Sequence, residues 1–144
     1  MKTGPRPHLR APGFTMVEML IVIAVIAIMA SLVISAFSNA AQDTRRVVAR
    51  QQQAAVQSAV NAWVARKSSG TGSLAAAMTE YNAEPTSLAK LNLVAGYLDE
   101  KTADHLRTNT VNTGQILSEA LKKTSQYLEL PNWDPNSYPK VNLK

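Results

Sequence analysis

Few residues in this chain have the types and spacing that do chemistry. It has no cysteine, which rules out disulfides, thiolate metal sites and dithiol redox pairs. Its two histidines, His8 and His105, lie far apart, and only His105 belongs to the carboxy-terminal half, so neither a histidine zinc site nor a catalytic triad is expected. Asp99, Glu100 and Asp104 read as a solvated helix face rather than as paired working acids. Asn132, Asp134 and Asn136 carry oxygens that could face calcium, but the spacing is not that of an EF-hand loop, and an Asx turn around Asp134-Pro135 is the better reading. No phosphate-cradling glycine loop and no serine elbow is present. The expectation is a chain without cofactor, metal or enzymatic activity. The one acid in an unusual setting is Glu18, five residues after Gly13 at the start of an apolar run.

That run reads GFTMVEMLIVIAVIAIMASLVISAF from Gly13 to Phe37. After Glu18, residues 19–37 carry no formal charge, and such a length marks a membrane-spanning helix. Met19, Leu20, Ile21, Ile23, Ile26, Ile28, Leu32, Ile34 and Phe37 are its main lipid-facing candidates. The leucine, isoleucine, valine and phenylalanine residues together favour insertion by about 3 to 7 kcal/mol. A carboxylate at one end offsets only part of that, because it can reach the headgroups.

Residues 1–13, MKTGPRPHLRAPG, are basic and proline-rich. Lys2, Arg6 and Arg10 would hold this end in the cytoplasm, and His8 reads as part of the same tail. The net charge of +5 falls to about +2 without these three bases, a mild balance that suits a solvated surface rather than a nucleic-acid partner.

The run supports three readings. A secretory signal peptide would be cut after Ala40, but its apolar region is ordinarily shorter. A plain single-pass anchor, carrying a periplasmic binding module that does not polymerise, explains the hydrophobicity and leaves Gly13 and Glu18 as accidents. The third reading explains them. The sequence Gly13-Phe14-Thr15-Met16-Val17-Glu18, followed by the apolar run, resembles the amino terminus of the type IV pilin-like family, which spans type IV pilins and the pseudopilins of type II secretion.

The resemblance implies cleavage between Gly13 and Phe14 by a prepilin peptidase and N-methylation of Phe14. It implies that Glu18 aligns subunits by pairing with the Phe14 ammonium of a neighbour. It further implies a homo-oligomeric helical filament with related minor pilins or pseudopilins, an inner-membrane assembly platform, and a bacterial inner-membrane location with the leader cytoplasmic and the head periplasmic. One departure stands out: many pilins have a proline where this chain has Ser35, so the helix is expected to be straighter here.

The expected fold is mainly α: a long amino-terminal helix and a small head of short helices and loops with little or no sheet. Residues 1–13 form the leader, 14–37 the membrane or filament-core half of the helix, 38–68 its amphipathic half, and 69–144 the head. No Gly or Pro interrupts residues 14–67, which predicts one helix of about 50 residues, about 80 Å long. Arg45, Arg46 and Arg50 follow the apolar run. Val48, Ala49, Gln52, Val56, Val60, Trp63 and Val64 then share a helical face. In the head, residues 68–73 read as a loop, and helices are expected over 74–81, from about Pro85 to Leu93, over 98–106 and over 113–126. A small sheet between residues 109–113 and 141–143 is possible, and the proline-rich tail is expected to be mostly irregular.

Overall fold

The computed structural model describes residues 13–70 and 72–144. The leader bases Lys2, Arg6 and Arg10, with His8, lie outside the described residues. Helix α1 runs Met16–Ser69, 54 residues. Its interior lacks the two residues that break helices, and Arg66 and Lys67 occupy its last turn, where cations favour the carbonyl end of the dipole. Ser68 and Ser69 hydroxyls donate to the Ala65 carbonyl. The chain resolves into two compact units, one ending at Ala40 and the other Ala41–Lys144.

In the first unit every described residue is exposed. In the second, α1 buries Ala49, Val56, Ala59, Val60, Trp63 and Val64, a stripe at three- and four-residue spacing. Four short helices pack with it: α2 (Leu74–Ala83), α3 (Ser87–Val94), α4 (Glu100–Asn109) and α5 (Glu119–Lys123). Each has a side-chain cap at its start. Ser73, Thr86, Asp99 and Ser118 accept hydrogen bonds from backbone amides of Ala76, Ala89, Thr102 and Leu121. Such caps offset the unpaired amides that make short helices marginal. Before α2 the backbone passes close to the end of α1. A Cβ on Gly72 would lie 2.9 Å from the Lys67 carbonyl oxygen, so this position needs glycine.

The core of the second unit joins Val56, Val60 and Trp63 to Tyr81, Leu91, Leu106, Ile116, Leu121, Leu128 and Trp133. The Trp63, Tyr81 and Trp133 rings follow one another at centroid separations of 6.1 and 6.3 Å, the range of favourable aromatic pairs. Burial pushes the Tyr81 hydroxyl well above its usual pKa.

The long helix, the small mainly helical head and the near absence of sheet agree with the sequence reading. Two local expectations do not hold. The helix expected over residues 113–126 shrinks to α5, because Ile116 is extended and pairs with Leu128, and Ser118 starts the helix only there. The small sheet also has a different first strand: β1 is Leu128–Glu129, and it pairs antiparallel with β2, Asn142–Leu143. Residues 109–113 are instead the end of α4 and a turn. The apolar residues of 113–126 face the core at similar spacing in either conformation, which is why periodicity misled there.

Candidate functional site

The amino-terminal site is local. Gly13, Phe14 and Thr15 precede α1 in non-helical backbone. A Cβ added to Gly13 would meet nothing within 4 Å, so the fold places no steric demand for glycine there. Phe14 is 76% exposed.

Thr15 and Glu18 form a reciprocal cap. The Glu18 amide donates to Thr15 Oγ1 at 3.2 Å, while Glu18 Oε2 accepts from the Thr15 amide at 2.8 Å and from its hydroxyl at 2.9 Å. This is the capping box, in which a Thr and a Glu three residues on satisfy each other's amides. The sequence reading treated Glu18 as a carboxylate awaiting another subunit and missed this role. The T-x-x-E spacing before an apolar run was the available signal. Both bonds converge on Oε2, and Oε1 has no hydrogen-bond partner among the described residues.

Beyond the cap, Met19, Leu20, Ile21, Ile23, Ile26, Ile28, Leu32, Ile34 and Phe37 all lie on exposed helix. Large apolar side chains over 19–37 range from 46% exposed at Val22 to 72% at Phe37. The segment is long and apolar enough to cross a membrane. An apolar surface this large and continuous marks a contact with lipid or protein.

In the second unit, glutamines on α1 hold the carboxy-terminal tail. The Gln53 amide donates to the Val141 carbonyl at 2.8 Å. Gln57 donates to the Pro139 carbonyl at 2.9 Å and accepts from the Val141 amide at 2.7 Å. The side-chain amide of Gln57 thus stands in for a neighbouring strand. Gln52 Oε1 accepts from the Ser118 hydroxyl at 2.6 Å. Within QQQAAVQ the sequence reading places Gln52 and Val56 on the helical face and assigns no role to the amides of Gln53 and Gln57.

The remaining candidates separate. Asp134 Oδ1 accepts from the Asn136 amide at 2.8 Å, the Asx turn expected there. Asn132 Oδ1 accepts instead from the buried Lys90 ammonium at 2.7 Å, so the three residues do not converge on one cation. Asp99 caps α4, Asp104 pairs with Arg107, and Glu100 and His105 are exposed. A cleft of about 560 Å³ lies among Leu74, Met78, Trp133, Pro135 and Tyr138; no acid, lysine, arginine or histidine lines it.

Residues 10–34 match the family described as the prokaryotic N-terminal methylation motif. No curated protein and no solved structure matches the chain. The motif match supports a type IV pilin-like family, whose members are structural proteins and substrates of prepilin peptidase. With the apolar helix, it fits a membrane-anchored protein. The match stops at residue 34, so the head lies beyond its reach.

Proposed function

We propose that this chain is a structural subunit of a type IV pilus-like or type II secretion pseudopilus filament. Prepilin peptidase removes the leader after Gly13 and methylates the new amino terminus at Phe14. The leader is cytoplasmic, residues 19–37 cross the inner membrane once, and the head is periplasmic. An assembly platform then draws the subunit into a homo-oligomeric filament with related minor subunits. It is not an enzyme.

The observation that carries this reading is the coincidence of the methylation motif with a helix half that buries nothing of its own. In lipid, apolar helices gain little from touching one another. Once withdrawn from lipid, the same surface favours copies of itself by about 25 cal/mol per Å² buried. Glu18 is the register element. Its Oε2 belongs to its own helix cap, and its Oε1 is the atom offered to the Phe14 ammonium of the next subunit. A buried pair of this kind is favourable only when both partners are present.

Two variants separate the cap from the charge. Glu18→Gln keeps an oxygen for the Thr15 amide and loses the charge; Glu18→Ala loses both. The expected result is inserted, processed protein and a severe loss of sheared filament for both variants. Filament yield at the unsubstituted level from Glu18→Gln would remove the charge from the mechanism.

A further inference from the structure

We propose that the cleft beside Trp133 and Tyr138 binds a neutral saccharide. Its volume of about 560 Å³ is within the range of small-ligand sites. Leu74 and Met78 of α2 line it on one side, and Pro135, Asn136 and Ser137 on the other. Tyr138 is 50% exposed, and its ring stands 5.8 Å from that of the buried Trp133. The frame is fixed before any ligand arrives. The Asn82 side-chain amide accepts from the Trp133 amide at 2.7 Å and donates to its carbonyl at 3.0 Å. The Trp133 indole donates to the Ser137 carbonyl at 2.7 Å, and the Ser137 amide donates to the Asp134 carbonyl at 3.1 Å. A frame held in this way spares a ligand the cost of ordering it. Every residue involved belongs to the second unit, so the proposal does not rest on the filament reading.

The lining selects the ligand. No charged side chain lines the cleft, so an ionic ligand finds no counter-charge there. Asp134, exposed next to the lining, disfavours an acidic sugar further. The bonds of Asn136 and Ser137 use their backbone groups. That leaves the Asn136 side-chain amide and the Ser137 hydroxyl without a partner among the described residues, as is the Tyr138 hydroxyl. Each of the three can both donate and accept. A polyproline peptide, another guest of aromatic grooves, offers carbonyl acceptors alone, and the indole N–H that could serve it is committed to Ser137. A sugar ring matches both properties. Its hydroxyls donate and accept, and its C–H face lies flat on an aromatic side chain that keeps its polar end wet.

The test uses the full chain in a polyoxyethylene detergent, which carries no sugar. Saturation-transfer difference NMR follows galactose, N-acetylglucosamine and lactose, each titrated separately. At the per-atom efficiency of ordinary ligands a hexose binds with a Kd of about 2 mM, so titrations run to about 20 mM. At least one of the three sugars is expected to saturate. Y138A removes the exposed ring and is expected to weaken that sugar about tenfold, the upper end for one aromatic contact. N136A leaves the ring in place and keeps the backbone bond to Asp134; it is expected to lose about fivefold, and it decides the matter if Y138A does not fold. No saturation by any of the three sugars overturns the proposal. Equal affinity in the parent and in the folded variants also overturns it. Saturation by a polyproline peptide in place of the sugars overturns it as well and assigns the cleft to a protein partner.

Discussion

Replacing Gln57 with alanine tests whether the head is fastened by side-chain amides. Gln57 satisfies two backbone groups of the tail, the Pro139 carbonyl and the Val141 amide. Val141 is 4% exposed, so water reaches its amide poorly once the glutamine is gone. An unsatisfied buried group costs about 1–3 kcal/mol. Two groups, one of them partly rescued by water, give a loss of about 2–3 kcal/mol. For a head of roughly 100 residues this lowers the melting temperature by about 10 °C or more. The assay is thermal unfolding in detergent micelles, followed by the near-ultraviolet signal of Trp63 and Trp133, because the apolar half of α1 would dominate a far-ultraviolet signal. Amide exchange at Val141 should accelerate in parallel. Gln57→Glu adds a sign. Its carboxylate still accepts from Val141 but faces the Pro139 carbonyl without a proton, which raises its folded pKa. That variant should regain stability as pH falls through its carboxyl titration. A Gln57→Ala melt within about 2 °C of the parent, with Val141 still protected, would refute the reasoning.

Three further outcomes follow from the geometry. Gly13→Val should leave the melting temperature unchanged, because nothing lies within 4 Å of a Cβ there, and should abolish leader removal, seen as an unshifted band in cells that carry the peptidase. Lys90 is buried, with its ammonium on the Leu130 carbonyl and Asn132 Oδ1. Burial lowers its pKa, with Glu129 opposing, so the unfolded state holds this proton to higher pH and the head gains stability as pH rises through the window below 10.5. Denaturant titrations of Lys90→Met across that range should lack the gain. Lys144 behaves oppositely. Its bond and ion pair with Glu129 raise its pKa, so its contribution is complete below 10.5 and vanishes as pH climbs through the raised value; Lys144→Gln should flatten that alkaline loss.

What could be read from the residues follows their physics. The long helix was legible because no breaker interrupts it and because an uncharged run of that length has few other uses. The start of α3 was legible from Pro85-Thr86-Ser87, since Thr86 is the cap. Residues 113–126 were not: Ile116, Leu117 and Leu121 keep helical spacing, but a long-range pairing of Ile116 with Leu128 holds the first part extended. The glutamine clamp was hidden for the same reason. Its partners lie more than eighty residues away, and glutamine carries no local signal for a distant backbone. At the amino terminus, by contrast, every partner lies within three residues, so the capping box is legible from the T-x-x-E spacing alone.

The central claim is that the chain matures by losing its leader at Gly13 and then assembles through the exposed helix. Intact-mass analysis of the membrane-extracted protein, from cells that possess prepilin peptidase, tests the first step directly. The account predicts a chain that begins at Phe14 and carries one extra methyl group at its amino terminus. A chain that keeps Met1 to Gly13 in those cells, or one that begins at Ala41, would contradict it.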